Sequence, residues 1–273
     1  MRNSQFPLVS VVLPTINRPS LIRAIESVLN QTYSPLELIV IGDGCRPKIT
    51  RELSEQFDEI QIIEYPKSGR PAPLRNHGLI TSKGDFVAFL DDDDEWDPHK
   101  IQHQMNTLQL NNYLAVSTNA EILTPYRRDL YFERTPSTSF SRSLFVNPVI
   151  LSSLMIDKSR LADGVRFPED LKYRGFEDHL FVLHLQLQEP VLFLDEPLVI
   201  YNLSSDQRLS DELQHSAWRV RQSTIFWLLK TLVQQKPRHW LVKFIHGSGL
   251  LLTAVWVRFL PRSAILVLKN RLS

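Results

Sequence analysis

The run Asp91-Asp92-Asp93-Asp94-Glu95 follows directly on the apolar stretch Phe86-Val87-Ala88-Phe89-Leu90. Carboxylates packed this closely repel one another, and a nearby cation relieves the repulsion. Hard divalent ions such as Mg²⁺ take oxygen ligands, commonly one or two carboxylates together with a substrate phosphate. A short apolar run bounded by polar residues reads as a buried central strand. The acidic cluster then sits at the strand's carboxyl end, where open α/β sheets place their ligand crevices. A solvated acidic turn is the competing interpretation. Asp97-Pro98 fits it as an N-cap followed by proline at the first helical position.

Two further groups of residues have chemical potential. Thr15 and Asn17 follow the run Leu8–Leu13, and Asp43 follows Leu36–Ile41 within Gly42-Asp43-Gly44. Polar residues leaving successive strand ends converge on one sheet edge, as a nucleotide site requires. Asp43 alone would be an ordinary turn residue. Arg75, at a helix start, has the forked donor geometry that suits a phosphate. The second group is Arg174-Gly175-Phe176-Glu177-Asp178-His179. Its carboxylates either complement a helix N-terminus or supply a general base.

The elements that must position these residues alternate. Strands are expected over 8–13, 36–41, 60–65 and 86–90, and helices over 20–30, near 49–57, from about Pro73 and over 98–112. Leu21, Ile22, Ile25, Val28 and Leu29 recur at helical spacing. Such alternation predicts an α/β fold with a mostly parallel Rossmann-like sheet flanked by helices. Residues 124–143 read as a long functional loop, and the pattern from Asp211 onward is helical. The domain expectation is a catalytic unit over 1–205, with a nucleotide half over about 1–115 and an acceptor half over about 116–205. A helical extension over 206–273 follows.

Length and composition suit one large α/β domain with an extension: 273 residues, 43% of them hydrophobic. A formal net charge of +1 gives no general attraction to nucleic acid. The single cysteine, Cys45, precludes an internal disulfide and points to a reducing compartment. Residues 1–7 lack a signal peptide's apolar core, and no stretch reaches the roughly 18–20 apolar residues of a membrane span.

Together these residues resemble the family 2 glycosyltransferases, which have the GT-A fold. The likeness is carried by Val9–Arg18, Ser27–Thr32, Glu37–Gly44, Leu74–Gly78, Gly84–Trp96 and Gly175–Asp178. It implies inverting transfer of a sugar from a nucleotide-diphosphate donor to an acceptor hydroxyl, in surface polysaccharide, lipopolysaccharide or glycolipid assembly. Under it Thr15 and Asp43 hold the base and ribose, Asn17 belongs to the same nucleotide-binding edge, and Arg75 sits near the nucleotide. Asp91 and Asp93 are the family's D-x-D pair with Asp92 between them, and Asp93 faces a divalent metal, Mg²⁺ or Mn²⁺. Asp178 is the catalytic base and Glu177 stands beside it. Gly42 stands where many relatives have another aspartate. The segment 201–206 lacks the Arg and His often found there. The alternatives are a catalytically silent nucleotide-sugar-binding protein of this fold and a metal-dependent nucleotidyltransferase, although no glycine precedes Gly42 to form a triphosphate loop.

The expected location is cytoplasmic, with peripheral contact at the inner face of the membrane through residues 240–269. That segment contains Lys243, Arg258, Arg262 and Lys269, no acidic residue, and the anchors Trp240, Phe244, Trp256 and Phe259. A lipid-linked or glycan acceptor would give the contact a purpose. Packing on the catalytic domain or a homodimer interface would explain the same pattern.

Overall fold

The computed structural model describes residues 6–44, 47–124, 127–144 and 147–202. The expected extension over 206–273, its membrane-facing segment 240–269, residues 203–206 and Cys45 lie outside the described residues.

The first half is a run of strand–helix units. β1 (Val9–Thr15), α1 (Leu21–Leu29), β2 (Leu36–Asp43), α2 (Pro47–Gln56), β3 (Ile60–Tyr65), α3 (Pro71–Thr81) and β4 (Phe86–Phe89) follow in order. β1 is buried along its whole length, which accounts for its unbroken apolar sequence. In α1 the buried residues Leu21, Ala24, Ile25 and Val28 fall on one stripe. The second half adds β5 (Glu95–Trp96), α4 (Lys100–Asn111), β6 (Ala115–Leu123), β7 (Arg128–Leu130), α5 (Phe140–Ser143), β8 (Met155–Asp157), α6 (Glu177–Gln186) and β9 (Leu192–Asn202).

These strands form one sheet in the order β3-β2-β1-β4-β8-β6-β9-β5, with β7 attached to β6. The long ladders, β1 with β2 and β4, β2 with β3, and β6 with β9, are parallel. The antiparallel joins span only two or three residue pairs each. The expected mostly parallel sheet flanked by helices is therefore present. One apolar layer packs Val9, Val11 and Leu13 with α1 and α4. The other packs Val12, Ile39 and Ile41 with α3 and α6. From β1 the chain winds outward through β2 and β3, then returns to place β4 on β1's other side. The crevice outside the carboxyl ends of β1 and β4 is thus a topological switch point.

Two local expectations change. α4 starts at Lys100, not Pro98: Asp97 Oδ1 accepts the His99 N–H at 2.8 Å, and the Asp97 carbonyl accepts Lys100 N–H at 3.1 Å. Asp97 therefore caps a preceding turn, because Glu95 and Trp96 extend to pair with Val199 and Ile200. The expected loop 124–143 contains β7 and the short α5, and Tyr131 N–H extends the pairing to the Ala120 carbonyl at 2.8 Å.

Candidate active site

A cavity of about 230 Å³ opens at the carboxyl edge of β1, β2 and β4. Thr15, Asp43, Arg75, Asp91, Asp92, Asp93, Glu177 and Asp178 all line it. Residues up to 163 positions apart in the chain thus meet at one surface. Asn17 does not line it. At φ 65° it turns the chain, and its N–H donates to Thr15 Oγ1 at 2.7 Å.

The acidic run divides by direction. Asp92, 2% exposed, accepts Thr15 Oγ1–H at 2.6 Å and Ile16 N–H at 3.3 Å, and also pairs with Arg18. It ties the β1 loop to the β4 loop. Asp94, equally buried, accepts the Ser152 hydroxyl at 2.5 Å and Asn202 N–H at 3.2 Å. Burial, then repulsion from Asp93 and Asp91, pushes its carboxyl well above the usual range. Asp91 and Asp93 retain partial exposure on the cavity side, at 32% and 17%.

Two arginines supply positive charge to this cluster. Arg18 approaches Asp93 at 3.5 Å as well as Asp92. Arg75, 5% exposed, donates to Asp91 Oδ1 at 2.5 Å and lies 3.4 Å from Glu177 Oε1. Burial alone would lower its pKa, yet Asp91 and Glu177 more than offset this, so the guanidinium stays charged. Arg75 therefore links the β4 loop to the start of α6, instead of extending freely toward a phosphate.

The acidic pair at α6 also splits in role. Glu177 is held by Gly175 N–H at 2.6 Å and by Arg75. Asp178 is the more open of the two, accepting His179 N–H at 2.7 Å with Asn147 Nδ2 at 3.5 Å. Burial raises the Asp178 pKa while Arg75 opposes the rise, leaving a carboxylate more basic than usual. The position of α6 is fixed by aromatic packing. Phe167 and Phe181 stack at 3.9 Å, and Phe89 of β4 meets them edge-on at 5.2 and 5.8 Å.

Asp43 uses both carboxylate oxygens on the loop after β3, accepting Ser68 N–H at 2.5 Å and Gly69 N–H at 2.8 Å. Arg18, Gly69, Arg70 and Tyr201 also line the cavity and had not been singled out from sequence. Arg18 had a legible signal, its place after a turn at the end of β1. Tyr201 had none, since only the β6–β9 pairing brings it there.

The oxygen-rich lining suits a hard cation. Among the described residues no three His, Cys, Asp or Glu side chains form a ready-made cage. Asp91 and Asp93, on the cavity side, are the carboxylates that could hold such an ion together with substrate oxygens. Also among the described residues, no helix is long and apolar enough to cross a membrane.

The family model described as "Glycosyl transferase family 2" matches residues 10–145. An uncharacterized glycosyltransferase of Rickettsia bellii is 33% identical over 172 residues, covering 60% of this chain and 24% of its own. A Rickettsia typhi glycosyltransferase is 31% identical over 183 residues, covering 63% and 57%. A Bacillus subtilis protein named for teichuronic acid biosynthesis is 28% identical over 178 residues, covering 60% and 69%. The chain thus spans between a quarter and somewhat over half of the two Rickettsia relatives' length. Staphylococcus aureus TarS 1–349 in complex with UDP-GlcNAc shares the fold, with TM-score 0.60 and 20% identity over 74% of this chain and 60% of TarS.

Proposed function

The chain belongs to glycosyl transferase family 2 through its residues 10–145, and on that premise we propose an inverting glycosyltransferase that uses a nucleoside diphosphate sugar. The observation that carries this reading is that Asp91, Asp93 and Asp178 all line one cavity at the carboxyl ends of β1 and β4. The donor's diphosphate would lie toward Asp91, Asp93 and Arg18, with its nucleoside toward Thr15 and Asp43. UDP is the favoured nucleotide, since a protein of the same fold was crystallised with UDP-GlcNAc.

Asp178 would accept the acceptor hydroxyl's proton as that oxygen bonds to the anomeric carbon. The bond from the anomeric carbon to the diphosphate oxygen breaks on the opposite face, so a single displacement inverts the centre. Glu177, engaged with Arg75 and Gly175, would position Asp178 and not itself take the proton. Asp93, with Asp91, would hold a divalent cation, which when bound neutralises charge on the leaving diphosphate. Arg18 adds fixed positive charge to the same side of the cavity. The name of the B. subtilis relative favours a cell-envelope polymer as product.

Release of nucleoside diphosphate from a panel of UDP-, GDP- and dTDP-sugars tests the activity. Asp93→Asn should abolish release, and excess EDTA should stop the wild type. A folded wild type that binds a donor stoichiometrically without transfer or hydrolysis would instead be the silent binding protein. Undiminished turnover in EDTA would remove the metal from the mechanism and place the leaving-group charge on Arg18.

A further inference from the structure

An aromatic strip leads away from the cavity along the second half of the sheet. Tyr201 lines the cavity, and Tyr131 meets it edge-on with ring centroids 5.6 Å apart. Tyr131 packs on Phe132 at 4.7 Å, and Phe132 on Phe193 at 5.7 Å. Tyr131 is 37% exposed although it is large and partly apolar. The cluster is therefore not a closed core.

The strip is built firmly. Asn119, 1% exposed, accepts Phe132 N–H at 3.1 Å and donates to its carbonyl at 2.9 Å, holding that peptide from both sides. Asn119 sits at the register shift between β6 and β9, an irregularity of the kind that re-aims side chains beside active sites. Beside it, the exposed carboxylate of Asp195 accepts the Thr135 hydroxyl at 3.0 Å. Aromatic rings flanked by polar groups match the two-sided character of a pyranose, whose C–H face is apolar and whose rim carries hydroxyls.

Resting on the donor reading above, we infer that Tyr131, Phe132 and Tyr201 form the acceptor subsite, and that the acceptor is a saccharide chain lying along them. Its terminal hydroxyl enters the cavity at Tyr201, toward Asp178, while preceding rings lie over Tyr131 and Phe132. An acceptor recognised only through a lipid anchor or a charged head would not need this surface.

Saturation-transfer NMR on the full chain without nucleotide, using cellohexaose, chitohexaose and maltohexaose as probes, tests the subsite. Ring protons of at least one oligosaccharide should saturate. Tyr131→Ala should weaken that probe's affinity at least fivefold, and Tyr131→Phe should preserve it. UDP binding, measured separately by calorimetry, should be equal in all three proteins. No saturation from any probe overturns the inference, as does unchanged affinity in a folded Tyr131→Ala variant. Absent UDP binding in the wild type counts against the donor reading alone, because the oligosaccharide measurement does not depend on it.

Discussion

Replacing Arg75 with methionine removes the cation that joins the two halves of the site while retaining much of the side chain's length. Arg75 is 5% exposed and contacts Asp91 at 2.5 Å and Glu177 at 3.4 Å. The two carboxylates lose unequally. Asp91 is 32% exposed on its side chain and can hydrate, whereas Glu177 is 7% exposed and keeps only backbone donors such as Gly175 N–H. Leaving one partner of a buried ion pair uncompensated costs about 3–5 kcal/mol. For a protein of this size each kcal/mol moves Tm by roughly 2–4 °C, so melting should fall by roughly 6–20 °C. Adding Glu177→Gln should recover more than half of that loss without restoring turnover. A second consequence is electrostatic. Arg75 is the main group holding down the Asp178 pKa against burial. A base works deprotonated, so activity is lost as pH falls through its pKa, and the acid limb of kcat should move to higher pH in the variant. Circular-dichroism melting and a pH series of kcat measure both effects. An unchanged Tm together with an unmoved acid limb would refute the ion-pair account of this arginine.

Three other outcomes are expected. Asp178→Asn should lower turnover by about 10²–10⁴-fold with calorimetric donor affinity unchanged; if affinity falls in step with turnover, Asp178 contacts the donor and the base lies elsewhere. Gly78→Ala should destabilise despite alanine's helix preference of about 1 kcal/mol, because its Cβ would run into Val12 Cγ1 and lie 2.9 Å from Ile41 Cδ1. Overpacking of that kind costs about 1–3 kcal/mol, and a raised Tm would contradict it. Burial holds the His184 pKa at about 4 against an ordinary 6.5. Stability from neutral His184 is then full above pH 6.5 and lost as pH falls toward 4, by roughly 3 kcal/mol. Urea titrations should show that loss in the wild type and a flatter profile in His184→Gln.

The parallel half of the fold was readable because its signals are local. β1, β2 and β4 are buried on both faces, so their sequences are nearly continuous apolar runs, and α1 carries one clean stripe. Chain order alone then puts Thr15, Asp43 and Asp91 at strand ends on one edge. The family resemblance came largely from the same half of the chain, with Gly175–Asp178 the exception.

The second half was less legible because its signals are not local. β5 is two residues long and exists only because β9 pairs with it. β7 lies in a segment of Arg, Ser, Thr and Pro that no periodicity marks. Lys100 would be placed in solvent by its type, yet it is fully buried, 2.8 Å from Gln104 Oε1 and 3.8 Å over the Trp96 ring. Burial pushes its pKa well down, a circumstance that depends wholly on how α4 docks.

The acidic run shows most clearly where sequence stops. Its composition called for positive charge, and a metal was the natural inference. Which carboxylates stay partly exposed and which are buried was decided by tertiary partners. Thr15, Ile16 and Arg18 take Asp92, Ser152 and Asn202 take Asp94, and Arg75 crosses from α3 to Asp91. A side chain's type states what it can do, and spacing states which edge it reaches. Direction, burial and basicity come from contacts made by residues far away in the chain, and those exist only once the sheet has closed.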